Sequence, residues 1–164
     1  MSYCIGFEPS VDNNSKILIL GSMPGISSLQ QQQYYAHPQN RFWRLWAYLL
    51  QRDTVPHIYS EKLQMLLDNN IALWDSIAAC NREGSLDNAI ENEQSNDFKA
   101  FFKKYPKIYK ICFNGGKSYN CFKKYNKDLL QSKKYKFYQL PSTSPANARF
   151  SFVDLCEAWK NVLD

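Results

Sequence analysis

The chain has 164 residues, 45% hydrophobic and 21% charged, with aromatics at 15% and a formal net charge of +5. These are the proportions of a globular chain with one sizeable core, not of a disordered one, and no apolar run is long enough to span a bilayer. The positive balance suits nucleic acid, and the opening MSYCIGFEPS lacks the charged-then-apolar order of a signal peptide, so a cytoplasmic protein is expected.

Residues 1–15 are polar and read as a lead-in, with Phe7 tucked down. Residues 16–20 form the first strand, because the run Ile17-Leu18-Ile19-Leu20 has the unbroken hydrophobicity of a buried parallel strand. Gly21 and Gly25 bracket Ser22-Met23-Pro24 in a turn that needs close backbone approach or unusual dihedrals. Residues 27–33 read as a polar linker to the aromatic-rich stretch Tyr34 to Asn40. A helix over 41–50 follows, with Phe42, Trp43, Leu45, Trp46, Leu49 and Leu50 on one stripe. A connector holding Pro56 leads to a helix over 61–67, ended by Asn69-Asn70, and to a short strand over 71–74 with Asp75 at its carboxyl end.

Residues 80–90 are polar and predict a loop with a helical turn. Asn96 is the expected N-cap of a helix over 97–105, which Pro106 ends. A strand over 108–113 closes in Asn114-Gly115-Gly116, and a helix over 117–125, a strand over 136–140, a turn-rich loop over 141–148 and a last helix over 151–163 complete the chain. Strands alternating with helices call for right-handed crossovers and a parallel sheet. The expected fold is therefore α/β: a three-layer α/β/α sandwich around a four-stranded, mostly parallel sheet, one domain over residues 1–164.

Open α/β sheets bind ligands beyond the carboxyl ends of their strands. The loops 21–40, 75–80, 114–116 and 141–149 meet there. Asn40 offers an amide that can accept from a water and donate to a ligand but is no strong base; it can equally cap the helix that follows. Asp75 and Asn114 are polar groups at strand ends that can read a ligand edge, or serve as a helix cap and a left-handed turn residue. His37 precedes a proline in an extended segment and reads as structural more readily than as a general acid; His57 reads as surface.

The five cysteines lack the clustering that zinc or iron–sulfur sites need and read as small buried hydrophobes, so no metal or cofactor is expected. Gly115-Gly116-Lys117-Ser118 has the ending of a phosphate-binding P-loop, but the motif requires glycine at 111 and the chain has Ile111. Twelve lysines lie between Lys99 and Lys136, opposed in that span only by Asp128, and read either as a solvated face of two helices or as a source of non-specific DNA affinity.

Gly21-Ser22-Met23-Pro24-Gly25 followed by Tyr34-Tyr35-Ala36-His37-Pro38-Gln39-Asn40-Arg41-Phe42-Trp43 resembles the first motif of the uracil-DNA glycosylase superfamily. Within it the stretch is most similar to the hypoxanthine (deoxyinosine) branch, related to the mismatch-specific uracil branch. Residues 72–77, 82–86 and 140–147 agree, so the resemblance spans nearly the whole chain. It departs from the mismatch branch at Met23, where that branch has its water-positioning asparagine, and this makes Asn40 the better candidate for that role.

The resemblance implies the same sandwich and a monofunctional enzyme that hydrolyses the N-glycosidic bond of a deaminated base flipped out of DNA, leaving an abasic site without a cofactor. It places Tyr35 where related branches stack an aromatic on the flipped base; Tyr34 is the other candidate platform. Gly21, Ser22, Met23 and Pro24 form the base-side wall, Asp75 and Asn114 read the base edge, and Asn40 orients the attacking water. The loop Pro141-Ser142-Thr143-Ser144-Pro145-Ala146-Asn147 resembles the superfamily's second motif, which grips phosphates and enters the duplex. Ser142, Thr143, Ser144, Pro145, Asn147 and Arg149 are accordingly expected to contact DNA, with Asn147 or Phe150 filling the vacated space. The expected partner is DNA bearing a deaminated base, with no membrane, no obligate protein partner and a monomeric state. Uracil removal from mismatches and a non-catalytic DNA-binding module are the competing readings.

Overall fold

Ile17 and Ile19 face one way and Leu18 and Leu20 the other, and all four are buried, so the first long strand is covered on both sides. A computed structural model describes residues 2–164. In chain order the elements are β1 (Tyr3–Ile5), β2 (Ile17–Gly21), α1 (Ile26–Gln31), α2 (Phe42–Leu49), α3 (Tyr59–Leu67), β3 (Ile71–Asp75), β4 (Ile77–Asn81), β5 (Glu91–Ser95), α4 (Phe98–Lys104), β6 (Lys110–Asn114), α5 (Gly116–Tyr125), α6 (Lys127–Leu130), β7 (Lys136–Leu140) and α7 (Phe152–Trp159).

β3, β2, β6 and β7 lie side by side in that order, all parallel. Phe42, Trp46, Leu66, Leu155 and Trp159, from α2, α3 and α7, cover the face that carries Ile17, Ile19, Leu73 and Cys112. Phe98, Phe101, Phe102 and Phe122, from α4 and α5, cover the face that carries Leu18, Leu20, Ile111 and Phe113. This is the expected three-layer sandwich. From β2 the chain steps to β3 on one side and then crosses back to β6 on the other, so the strand order reverses between β2 and β6. A crevice at the carboxyl ends of such strands is where open sheets hold ligands.

The structure adds a second sheet that the sequence did not announce. β1, β4 and β5 form an antiparallel sheet over segments expected to be lead-in and loop. β5 reads Glu-Asn-Glu-Gln-Ser and is largely exposed, so it carries no apolar alternation to betray it. Met23, Ile77, Cys80, Ile90 and Cys121 make the small core beneath this sheet. The expected linker over 27–33 is largely α1, whose first N–H, from Ile26, donates to Ser85 Oγ at 2.8 Å. The cap of α4 is Asp97 instead of Asn96; Asn96 Nδ2 donates to Asp75 O at 2.7 Å instead. α7 starts in a capping box made by Ser151 and Asp154 and ends at Trp159, with a 3-10 turn over Lys160–Leu163. Among the described residues no helix is long and apolar enough to cross a membrane.

Candidate active site

Gly21, Asp75, Asn114 and Leu140 end the four parallel strands on one edge, with Gly21 paired to Asp75 and Asn114 to Leu140 in register. Above them opens a cavity of about 910 Å³. Its wall is built from the β2–α1 turn, Tyr35, His37, Asn40, the 85–88 segment, Asn114 to Gly116 and the 139–150 loop.

Gly21 is set by close approach: a Cβ there would stand 2.5 Å from Asp75 Oδ1 and 3.0 Å from the Tyr35 hydroxyl. Only glycine lets the carboxyl and the phenol crowd the end of β2. Asp75 is 4% exposed, and its Oδ2 is buried without a hydrogen-bond partner. Burial first, then the charge of Asp87, pushes its carboxyl up to about 7, against the pull of Arg82. Asp75 is thus poised between acid and carboxylate near neutrality, and it caps no helix.

Tyr35 has φ of 54°. One face of its ring stacks on Phe42 at 3.9 Å between centroids, and its hydroxyl is buried without a hydrogen bond. Burial and the neighbouring Asp75 hold that phenol well above the usual tyrosine range. Tyr34 turns inward: its ring meets the edge of Phe7 at 5.1 Å and its hydroxyl donates to Glu8 O at 2.8 Å. Both tyrosines border the cavity, Tyr34 as a buried member of the core and Tyr35 as the less deeply buried ring packed against it.

Asn40 precedes Arg41, which is the N-cap of α2, and reaches the first turn of that helix with its side chain. Its Oδ1 accepts from Phe42 N at 3.0 Å, at the first turn of α2, and also from Thr143 Oγ1 at 2.9 Å. Both lone pairs of that oxygen are therefore engaged, and Nδ2 with its two N–H groups is left unspent beside the cavity. The sequence allowed Asn40 to accept from a water; the geometry leaves it as a donor. Thr143, grouped by sequence with the DNA contacts, is fully buried. Its hydroxyl accepts from Asn114 Nδ2 at 3.1 Å while its backbone N–H donates to Asn114 Oδ1 at 3.0 Å. Thr143 thus fixes both amides and presents nothing to a phosphate. Gly115, at φ of 96°, takes the left-handed turn that Asn114 was a candidate for.

The rest of the 141–150 loop is stiffened from within. Ser142 Oγ accepts from Ser144 N, Ser144 Oγ from Ala146 N, and Asn147 Nδ2 donates to Ser142 O. Each serine hydroxyl keeps its own O–H free to donate. Pro145 lines the rim, and Arg149 is exposed with its guanidinium 5.6 Å from the Phe150 ring. Arg41, given no role from sequence, donates to the backbone oxygens of Ser144, Asn147 and Phe150 and so pins this loop to the start of α2.

On the opposite rim Ser22 Oγ donates to Asp87 Oδ1 at 2.6 Å. Buried Arg82 donates to Pro24 O and Ser85 O, tying the glycine turn to the β4–β5 connection. Met23 is 6% exposed, in the small core beneath the antiparallel sheet. His37 is exposed at the mouth, its Nδ1 accepting from Gln39 N. Arg82 and Asp87 escaped the sequence reading because their partners are recruited across the fold, from 58 and 65 positions away. Among the described residues no three His, Cys, Asp or Glu side chains are grouped to hold a metal ion.

The family model described as the uracil DNA glycosylase superfamily matches residues 8–163. The chain belongs to that superfamily. A Methanosarcina acetivorans relative named hypoxanthine DNA glycosylase is 43% identical over 146 residues, 89% of each chain. A Methanosarcina barkeri relative of the same name is 40% identical over 144 residues, 88% of each chain. A solution NMR structure from M. acetivorans, provisionally described as a uracil DNA glycosylase, superposes with a TM-score of 0.83 at 41% identity, covering 99% of this chain and 97% of that one. The stretch that resembles the superfamily's first motif and the loop that resembles its second both line this cavity and are joined by the Asn40–Thr143 hydrogen bond.

Proposed function

We propose that this superfamily member is a monofunctional DNA glycosylase that removes a deaminated base, hypoxanthine first, by hydrolysing its N-glycosidic bond. A base must leave the duplex stack to be attacked, and the cavity at the strand ends is the place for it. The half of the Tyr35 ring not covered by Phe42 is a stacking surface, worth roughly 1–3 kcal/mol per base and indifferent to purine or pyrimidine. Asp75 and Asn114 stand at the cavity floor for the base edge. In its acid form Asp75 offers an O–H beside a C=O, the complement of the N1–H and O6 of hypoxanthine. Its O–H then meets the oxygen on which negative charge gathers as the base departs.

Asn40 acts as an N–H donor. One N–H held on a water oxygen leaves the other lone pair of that water for the sugar carbon. An oxocarbenium-like centre is electrophilic enough for so weak a nucleophile when it is well placed. Ser142, Ser144, Asn147 and Arg149 face the flanking phosphates from the stiff rim, and Pro145 and Phe150 stand nearest the vacated space.

The observation that carries this reading is the Asn40–Thr143–Asn114 chain of hydrogen bonds, which fixes an amide beside a cavity with room for a base. Uracil offers the same N–H and C=O pair and is the nearest alternative substrate. Against it, Met23 holds the place of the mismatch branch's asparagine and packs into a core. The test is incubation with labelled duplexes bearing hypoxanthine, uracil or xanthine at one position, followed by alkaline scission. Cleavage of the hypoxanthine duplex above all others is expected; cleavage confined to uracil mismatches, or of none, overturns the reading.

A further inference from the structure

Three short triplets recur in the second half of the chain: Lys103-Lys104-Tyr105, Lys123-Lys124-Tyr125 and Lys133-Lys134-Tyr135. The topology brings two of them together. α4 starts beside Asp75, where Asn96 donates to the Asp75 carbonyl, and runs back to deliver Lys103 and Lys104 just before β6 begins. The third triplet immediately precedes β7. β6 and β7 start in register at Lys110 and Lys136, so both triplets arrive at the amino edge of the parallel sheet. The rings of Phe102 and Tyr135 meet there at 5.0 Å. The backbone forms a row along this edge: Lys16 N donates to Asn70 O, Tyr109 N to Lys16 O, and Lys136 N to Tyr109 O.

Lys103, Lys104, Lys107, Lys133, Lys134 and Lys136 are all exposed, and none has a carboxylate partner among the described residues. Lys104 stands 5.6 Å from the Tyr105 ring and Lys134 5.4 Å from the Tyr135 ring. Tyr109, 38% exposed, lies between them along the edge. Of the acids nearby, Asp12 accepts from Asn14 N and Ser15 Oγ, Asp68 accepts from Gln64, and Asp164 holds Lys110 through its backbone oxygen, so none is paired with the exposed lysines. The second triplet marks the border, since Lys124 pairs with Glu93 at 3.4 Å and Tyr125 donates to Glu93 O.

Ammoniums without a carboxylate partner, Lys107 reaching only the amide oxygen of Asn14, interleave with tyrosine rings and suit a nucleic acid better than an acidic protein. The cations neutralise phosphates and release their counterions, and the ring faces receive bases. The base cavity opens at the other end of the same strands. Five-residue strands put the two edges roughly 15 Å apart before any loop is added, and helices cover both faces between them. A duplex seated at the cavity mouth therefore does not reach the lysine row.

We propose that the amino edge of the parallel sheet is a second, sequence-independent nucleic-acid surface, which holds a separate DNA segment while the cavity engages the first. Only the word second rests on the reading of the cavity as a DNA site. Such a surface lets the protein pass between DNA segments without full release.

The test uses the full chain carrying K104Q, K107Q, K134Q and K136Q together, beside a partner variant with arginine at the same four positions. For undamaged duplex, the slope of log affinity against log salt is expected to flatten in the glutamine variant by about 0.9 for each phosphate that a lysine no longer neutralises. The arginine variant keeps the slope. An immobilised duplex should capture a second, fluorescent duplex through the native chain and the arginine variant, and not through the glutamine variant. Single-turnover base release at saturating protein should be equal in all three. No capture by the native chain, or an unchanged slope with polyglutamate bound in place of the second duplex, overturns the proposal. So does a glutamine variant that loses single-turnover release, which would place these lysines in the footprint of the cavity. If no form releases a base yet capture follows the lysines, the glycosylase reading falls and this surface stands.

Discussion

The Thr143 hydroxyl donates to Asn40 Oδ1 at 2.9 Å, across 103 positions of sequence. That one hydrogen bond closes the acceptor side of the Asn40 amide and couples the first-motif segment to the second. Thr143→Val keeps the shape and removes the hydroxyl, leaving the buried Asn114 Nδ2 without that acceptor and Asn40 Oδ1 with Phe42 N alone, at a cost of about 1–3 kcal/mol. Base release in single turnover should fall about tenfold or more while affinity for undamaged duplex stays level, and Thr143→Ser should restore most of the loss. A valine variant with native release would show that the hydroxyl does not orient Asn40.

Asn40→Asp separates donation from acceptance. An aspartate retains the oxygen that takes the Phe42 N–H and the Thr143 hydroxyl, and it loses both side-chain N–H groups. If Asn40 works as a donor, release should drop by about 10²- to 10³-fold, the loss typical of removing one preorganised hydrogen bond. Thermal melting should barely move, because the cap is preserved. An aspartate variant as fast as the native chain would make Asn40 an acceptor or a bystander.

The carboxyl of Asp75 supplies a pH dependence of known sign. Its folded pKa of about 7 lies above the 3.8 of an ordinary aspartate. Between those values the folded state binds more protons than the unfolded one, so stability falls as pH rises through that window, by on the order of a few kcal/mol. Release should also decline as pH rises through about 7, because the acid form is the one that meets the base oxygen. Asp75→Asn should flatten both profiles. Chemical denaturation from pH 4 to 9 and single-turnover rates over the same range check it; an aspartate chain that gains stability with rising pH would contradict the assignment.

Gly21→Ala puts a methyl 2.5 Å from Asp75 Oδ1 and 3.0 Å from the Tyr35 hydroxyl. Neither neighbour is free to swing, since Tyr35 is stacked on Phe42 and Asp75 is buried. A cost of about 1–3 kcal/mol in stability is expected from such overpacking. Base release should suffer more than folding does, because the displaced groups are those at the cavity floor. Calorimetry paired with single-turnover assays measures the two separately.

Three strands of the parallel sheet were legible because they are short, largely apolar runs ended by glycine, aspartate or asparagine. Such runs depend on burial on both faces, which neighbours in sequence already express. The antiparallel sheet was not legible, since β5 is made of polar residues whose only reason to be extended is the partner strand beside them. The site divides the same way. Gly21, Asn40, Asp75 and Asn114 stand at the ends of elements whose position can be read from sequence. Thr143 looked like a phosphate contact because a threonine in a serine–proline loop announces a hydroxyl and not the direction it takes.

By itself the sequence determined the layer order and the edge at which the cavity opens, which follow from hydrophobic runs and local turn chemistry, and the resemblance of its Gly21–Trp43 stretch pointed to the superfamily. Only the tertiary structure decided that Asn40 is left as a donor, that Asp75 is poised near neutrality, and that two of the three lysine-rich triplets reach the edge opposite the cavity. Those outcomes depend on groups brought together from distant parts of the chain. A hydrogen bond or a burial energy between them is a property of distance in space, which spacing along the chain does not record.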